Sequence, residues 1–263
     1  MKRAWFAPTM SIGLLVIYSV LYIWQPGGGD VLLLLTHIFF SLFALLASVL
    51  ALRASWMFEP GVTSRRVWLF FGAGMTVMTV SELLWILYYV EHLQVQYPSV
   101  IEISWGMGFV SVMASLVMQY RSLGAQISRR HKLLVLATYI GVLITISVLS
   151  LGSILSNPGQ VAVMQLLIGA YYLVGNLGVA FIAALSLLFL GKGLVGRPWR
   201  YMVASILLFA VGGLAFSYGT WNNTYMTGSN LLSGLTDLAY LAAYVLAAAG
   251  GYSQITLRLP VLN

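Results

Sequence analysis

The sequence predicts an all-α integral membrane protein, a bundle of eight transmembrane helices forming one domain over residues 1–263, with both termini in the cytoplasm. Three observations carry this. Of 263 residues, 60% are hydrophobic and only 7% are charged. A soluble domain carries about 25% charged residues, so this chain cannot build a water-facing shell. Eight apolar runs of membrane-spanning length follow one another along the chain. The 13 basic residues fall only in alternate connections. The same composition excludes a disordered chain, which needs low hydrophobicity and high charge. The absence of Cys excludes disulfides, thiolate chemistry, iron–sulfur clusters and Cys-type zinc sites.

A helix crosses the hydrocarbon core with roughly 20 mainly apolar residues. The first run is Ala4–Trp24. It follows Lys2-Arg3 as a signal peptide would, but no small-x-small cleavage site follows it, which makes it a retained anchor. Val31–Leu52 comes after the Gly-rich loop Gln25–Asp30. Val67–Val90 comes after Glu59-Pro60-Gly61, and Ile101–Tyr120 after Tyr97-Pro98-Ser99. Leu133–Leu155 follows a basic connection. Gln165–Leu190 follows Asn157-Pro158-Gly159, Tyr201–Trp221 follows Gly196-Arg197-Pro198, and Leu231–Tyr252 follows Thr227–Asn230. Gly and Pro end helices for backbone reasons. These runs are twice the length of a membrane-barrel strand and do not alternate.

The basic residues then fix the sides. They precede the first span (Lys2, Arg3) and separate spans two and three (Arg53, Arg65, Arg66). They separate four and five (Arg121, Arg129, Arg130, Lys132) and six and seven (Lys192, Arg197, Arg200). The last, Arg258, follows the eighth span. The positive-inside rule places all of them in the cytoplasm. The +7 charge is therefore a topology signal, and nucleic acid is not an expected partner; the lipid bilayer is. Trp5, Trp24, Trp56, Trp68, Trp199 and Trp221 sit near span ends, as an interfacial belt would. Gly72/Gly74, Gly106/Gly108, Gly175/Gly178, Gly212/Gly213 and Gly250/Gly251 read as close helix packing.

Eight spans also divide into two sets of four, residues 1–125 and 126–263, as parallel pseudo-repeats. His37 precedes Arg53 by 16 positions, and Asn176 precedes Lys192 by 16. Glu102 opens span four and Asp237 opens span eight. Each is followed by aromatics at +3 and +7: Trp105 and Phe109, Tyr240 and Tyr244.

Acids inside hydrocarbon cost on the order of 3 kcal/mol on insertion scales and face the bundle interior. Three of the six acids lie within spans: Glu82, Glu102 and Asp237. With His37 they fall within roughly 12 Å of the outer surface, at 1.5 Å per residue. Glu82 also has aromatics at +3 and +7, Trp85 and Tyr89, and those offsets share a helical face. The candidate ligand-binding residues are His37, Glu82, Trp85, Glu102, Trp105, Asn176, Asp237, Tyr240 and Tyr244. A pocket so lined suits a small ligand with an apolar or cationic body. Two readings stay open for the acids near helix starts. Glu102 and Asp237 could cap the first turns of their helices, with Ser99 and with Ser233 or Thr236. His37 is the one histidine within a span, and its expected role is hydrogen bonding to a carboxylate. Asn176, flanked by Gly175 and Gly178, is the only polar candidate near the midplane. No metal site, cofactor or catalytic constellation is expected, since no HExxH spacing, nucleophile elbow or phosphate loop is present.

Tyr97-Pro98-Ser99-Val100-Ile101-Glu102-Ile103-Ser104-Trp105 resembles the Y-P-S-x-x-D-x-x-aromatic motif of the eight-helix N-terminal membrane regions of bacterial diguanylate cyclases (GGDEF proteins) and sensor histidine kinases. A second copy is similar to Leu235-Thr236-Asp237-Leu238-Ala239-Tyr240. Glu102 stands where the family usually has Asp, and the sequence ends eleven residues after the last span, without a cyclase or kinase output domain. The resemblance implies a sensory or ligand-binding membrane module with an internal repeat. The expected function is therefore a receptor-like sensor in a bacterial or archaeal inner membrane, signalling to a separate cytoplasmic protein. A small-molecule transporter is an alternative, and so is a non-catalytic subunit holding lipid, quinone or pigment in a larger membrane complex.

Overall fold

The computed structural model describes residues 2–93, 99–124, 129–155, 163–190 and 196–258. They form eight helices: α1 Lys2–Trp24, α2 Gly28–Trp56, α3 Thr63–Val90, α4 Val100–Ser122, α5 Arg129–Leu155, α6 Val163–Phe189, α7 Arg197–Trp221 and α8 Leu231–Arg258. Among the described residues there is no strand. Six of the helices, all but α1 and α5, are long and apolar enough to cross a membrane. The described parts of α1 and α5 contribute the shorter apolar stretches Ile12–Trp24 and Leu136–Val148. The chain is thus a multi-pass membrane protein.

Each helix matches an apolar run of the sequence, and most extend beyond it. α2 continues past Arg53 to Trp56, and α3 begins at Thr63 rather than Val67. Hydropathy marks the hydrocarbon thickness, whereas backbone hydrogen bonding carries the helix on through polar turns. The expected Gln25–Asp30 loop shrinks for the same reason, because α2 already starts at Gly28. The tight reversal needs positive φ at Gly27 (87°) and Gly28 (84°), which glycine adopts without a Cβ clash. The turn signals Tyr97-Pro98 and Asn157-Pro158-Gly159 lie outside the described residues.

Six helices close a ring. α2 packs on α3, α3 on α4, α4 on α6, α6 on α7, α7 on α8, and α8 back on α2. Successive neighbours within α2–α4 are antiparallel: Tyr89 of α3 reaches the Asp30 carbonyl at the start of α2, and Ser115 of α4 reaches the Val67 carbonyl at the start of α3. The two closing contacts are parallel. Phe40 of α2 meets Tyr240 of α8, and a Cβ at Gly251 of α8 would stand 2.8 Å from the Leu50 carbonyl carbon of α2. Tyr172 and Tyr171 of α6 donate to the Glu102 and Gly106 carbonyls of α4. Exchanging each helix of α2–α4 with its counterpart in α6–α8 leaves this ring of neighbours unchanged. α1 and α5 break the correspondence: α1 lies against α8, and α5 against α6 and α7.

Small residues bring the helices close. A Cβ on Gly74 would sit 2.8 Å from the Gly108 carbonyl oxygen, and one on Gly108 would sit 3.0 Å from the Gly74 oxygen. The α3–α4 crossing is therefore backbone on backbone, as small-residue seams in membranes are. Outward faces carry exposed Leu42, Leu46, Val80, Leu83 and Leu87. In water such a surface would be an aggregation liability; in hydrocarbon it is the solvent contact. The tryptophan belt is only partly realised. Trp24 and Trp56 are 74% and 71% exposed, but Trp68 is fully buried and packs against Trp199 at 5.3 Å. Its position near a span end did not reveal which side of the helix it occupies. The Trp5 side chain lies outside the described residues.

Candidate functional site

All six ring helices open onto one cavity of about 490 Å³, within the 300–1,000 Å³ range of ligand pockets. It lies at the end of the bundle whose connections carry no basic residue. Its wall runs from Asn223 and Tyr225 in the α7–α8 loop down to Asn176 and Phe209. From Trp221 to Phe209 along α7 this depth is about 18 Å at 1.5 Å per residue.

The most polar wall comes from α2 and α3. Glu82 is 1% exposed, yet both of its oxygens are engaged. His37 Nδ1 lies 2.8 Å from Oε2, and the Tyr244 hydroxyl donates to Oε1 at 3.1 Å. A carboxylate only accepts, so Nδ1 carries the proton and His37 is left with Nε2 as its second polar atom. Trp85, one helical turn from Glu82, stacks on the His37 ring at 4.7 Å and 12°. The +3 offset read in the sequence thus places an aromatic face beside the acid. Tyr244 reaches Glu82 from α8 past Phe40, and it stands behind the cavity wall rather than in it.

Glu102 lines the cavity, but its carboxylate is engaged in helix capping. Oε2 accepts the Ser99 backbone N–H at 2.7 Å and the Ser99 hydroxyl, while Ser99 Oγ accepts the Ile101 N–H at 3.1 Å. This is a reciprocal capping box, so the capping reading of Glu102 holds. Trp105, one turn on, faces the cavity and meets Tyr240 edge-on at 5.6 Å.

Asp237 is the departure. It is fully buried but does not line the cavity. Tyr225, which does line it, donates its hydroxyl to Asp237 Oδ1 at 2.6 Å. Asp237 does not cap α8 either, and neither Ser233 nor Thr236 is its cap. Asn230 Oδ1 accepts the Ser233 N–H at 2.9 Å, and the Thr236 hydroxyl bonds back to the Leu232 carbonyl. Asp237 sits six residues into the helix, too deep to reach the free N–H groups of the first turn. Burial, then the neighbouring Asp237 carboxylate, holds the Tyr225 phenol well above its ordinary pKa. The loop that carries Tyr225 is pinned to the end of α1: Gln25 donates to the Gly228 carbonyl at 2.6 Å, and the Gly228 N–H donates to the Tyr22 hydroxyl oxygen at 2.9 Å.

Asn176 lines the far end and is 4% exposed. It packs against Gly213, where a Cβ would overlap its carboxamide. Seven of the nine sequence candidates therefore face one cavity (His37, Glu82, Trp85, Glu102, Trp105, Asn176 and Tyr240), with Tyr244 and Asp237 supporting it from behind. The sequence reading missed Tyr172 and Tyr225. Tyr172 is one of two adjacent tyrosines in an apolar helix, and Tyr225 sits in a loop twelve residues from the acid it serves. No local spacing marked either of them. Among the described residues no three His, Asp or Glu side chains converge as a metal would require.

Fold and site together define a multi-pass membrane helix bundle with an aromatic, hydrogen-bonding cavity near one end of its spans. Comparison with family models, with curated proteins and with solved structures gave no match.

Proposed function

We propose that the chain is a receptor-like membrane sensor module that takes a small ligand into this cavity. The observation that carries the reading is the cavity at the end free of basic residues, walled by all six ring helices. An occupant that touches six helices can bias their packing, which is the differential contact a conformational signal needs. In this reading both termini are cytoplasmic in a bacterial or archaeal inner membrane, and the basic end is read by a separate cytoplasmic partner. The two four-helix halves are pseudo-repeats, supported by a ring of neighbours that survives their exchange. The likeness to the membrane regions of diguanylate cyclases and histidine kinases points the same way.

The test is to purify the protein into lipid nanodiscs and identify extracted small molecules by mass spectrometry. The control is Ser217→Trp, which fills the cavity from α7. A compound retained by the wild type and lost from the variant is the expected result. Identical extracts from the two, equal to those of empty nanodiscs, would sink the reading.

A further inference from the structure

The site's hydrogen-bonding inventory narrows the ligand. It rests on the cavity being a ligand site, as proposed above. A cation would seek a carboxylate, and the acids here are largely committed to the protein itself. Glu82 uses both oxygens, on His37 and Tyr244, Glu102 Oε2 accepts twice from Ser99, and Asp237 lies behind the wall with Oδ1 accepting from Tyr225 and Oδ2 unpaired. An anion would need a cationic side chain, and no Lys or Arg lines the cavity.

Three polar groups facing the cavity remain unspent. The Asn176 carboxamide is 4% exposed and lines the cavity, with no hydrogen-bond partner among the described residues. The Tyr240 hydroxyl, on a residue 9% exposed, makes none either. The third is His37 Nε2, whose partner nitrogen is committed to Glu82. Buried polar groups are normally hydrogen-bonded. An amide, a phenol and an imidazole nitrogen left open to one cavity form a recognition set for uncharged oxygen substituents. Around them stand flat faces: Trp85, stacked on His37, and Trp105, packed on Tyr240. We infer that the cavity takes an uncharged flat ring bearing carbonyl or hydroxyl oxygens, of the quinone or hydroquinone type. Asn176 Nδ2 and the Tyr240 hydroxyl donate to its carbonyl oxygens, or His37 Nε2 accepts from its hydroxyl. Binding alone is proposed, with no electron transfer.

The probes are tritiated decyl-1,4-benzoquinone and its hydroquinone, against decyltrimethylammonium, decanoate and decylbenzene. Binding is measured on nanodisc-held protein after subtracting empty nanodiscs. With no Cys in the chain, quinone–thiol adducts do not interfere. The expected result is saturable binding of the quinone or hydroquinone, at least tenfold tighter than decylbenzene. Asn176→Leu should weaken it about tenfold, because the site loses a hydrogen-bond partner. Tyr240→Phe removes one oxygen with packing intact, and it serves as the second variant if Asn176→Leu does not fold; a severalfold loss is expected. Tightest binding of the ammonium or decanoate overturns the inference and leaves a ligand-binding cavity standing. So does decylbenzene binding as tightly as the quinone, or variants that bind like the wild type. Binding of no probe above empty nanodiscs also overturns it, and the copurification comparison with Ser217→Trp then decides the broader reading on its own.

Discussion

Replacing Glu82 by leucine tests the polar cluster at its centre. Two donors converge on this carboxylate, His37 Nδ1–H at 2.8 Å and the Tyr244 hydroxyl at 3.1 Å. Leucine nearly preserves the volume and removes both acceptors. Tyr244 is fully buried, so its hydroxyl gains no water in exchange. Each donor stranded in this way costs about 1–2 kcal/mol, giving a loss of about 2–4 kcal/mol of unfolding free energy for Glu82→Leu. Glu82→Gln should cost far less. Its amide oxygen can accept from Tyr244 while its NH2 donates to His37 Nδ1, once the imidazole proton moves to Nε2. Tyr244→Phe leaves Glu82 with His37 and should cost about 0.6–1.7 kcal/mol, from the average to the maximum measured for interhelical hydrogen bonds in a membrane protein. The assay is reversible unfolding of the nanodisc- or bicelle-held protein, with a double-mutant cycle between positions 82 and 244. The order Leu, then Phe, then Gln is the expected ranking of damage. An additive cycle, or a Glu82→Leu protein as stable as the wild type, refutes the idea that this carboxylate ties α2, α3 and α8 together.

Other consequences are as direct. Gly74→Leu should prevent the α3–α4 contact and destabilise by several kcal/mol, since even a Cβ would stand 2.8 Å from the Gly108 oxygen and overpacking alone costs about 1–3 kcal/mol; thermal unfolding reads it. Ser99→Ala removes the reciprocal cap of α4 and should cost about 1 kcal/mol, with Ser99→Thr, which keeps a hydroxyl to donate to Glu102 and accept from Ile101, recovering most of it. The folded-state pKa of Tyr225 is raised, so its contribution to stability is full below pH 10 and is lost as pH climbs from there through the folded value. Tyr225→Phe should flatten that alkaline decline in unfolding experiments above pH 10. Because the chain has no Cys, single cysteines report sidedness: at position 229 a membrane-impermeant maleimide should label intact cells, and at position 62 only lysed ones.

The eight helices were legible because lipid makes one demand that every span must meet, an apolar run of sufficient length with its backbone bonds satisfied internally. Glu82 with Trp85, and Glu102 with Trp105, were legible for a related reason. Helical spacing fixes which residues share a face, whatever the neighbours are. What spacing cannot give is the register between helices distant in sequence. Asp237 carried the same signature as the other two acids, yet its helix is turned so that the carboxylate meets Tyr225 of the α7–α8 loop rather than the cavity. Tyr244 appeared to belong to that same stripe and instead reaches across to Glu82. Asn176 looked isolated because its neighbour, Gly213, lies 37 positions away and contributes only the space it leaves.

That difference bears on how the cavity is built. Two acids with the same local pattern have divided the work: Glu102 holds the start of its own helix, and Asp237 holds a loop tyrosine at the cavity rim. Glu82 holds three helices. In each case a carboxylate oxygen is engaged in structure, and the amide, phenol and imidazole Nε2 groups facing the cavity make no such bond. A membrane interior favours this division, because a free charge there costs several kcal/mol, whereas an open amide or hydroxyl costs about 1–3 kcal/mol. The acids that drew attention to the site in the sequence are therefore its scaffold, and its selectivity falls to Asn176, Tyr240 and the second nitrogen of His37.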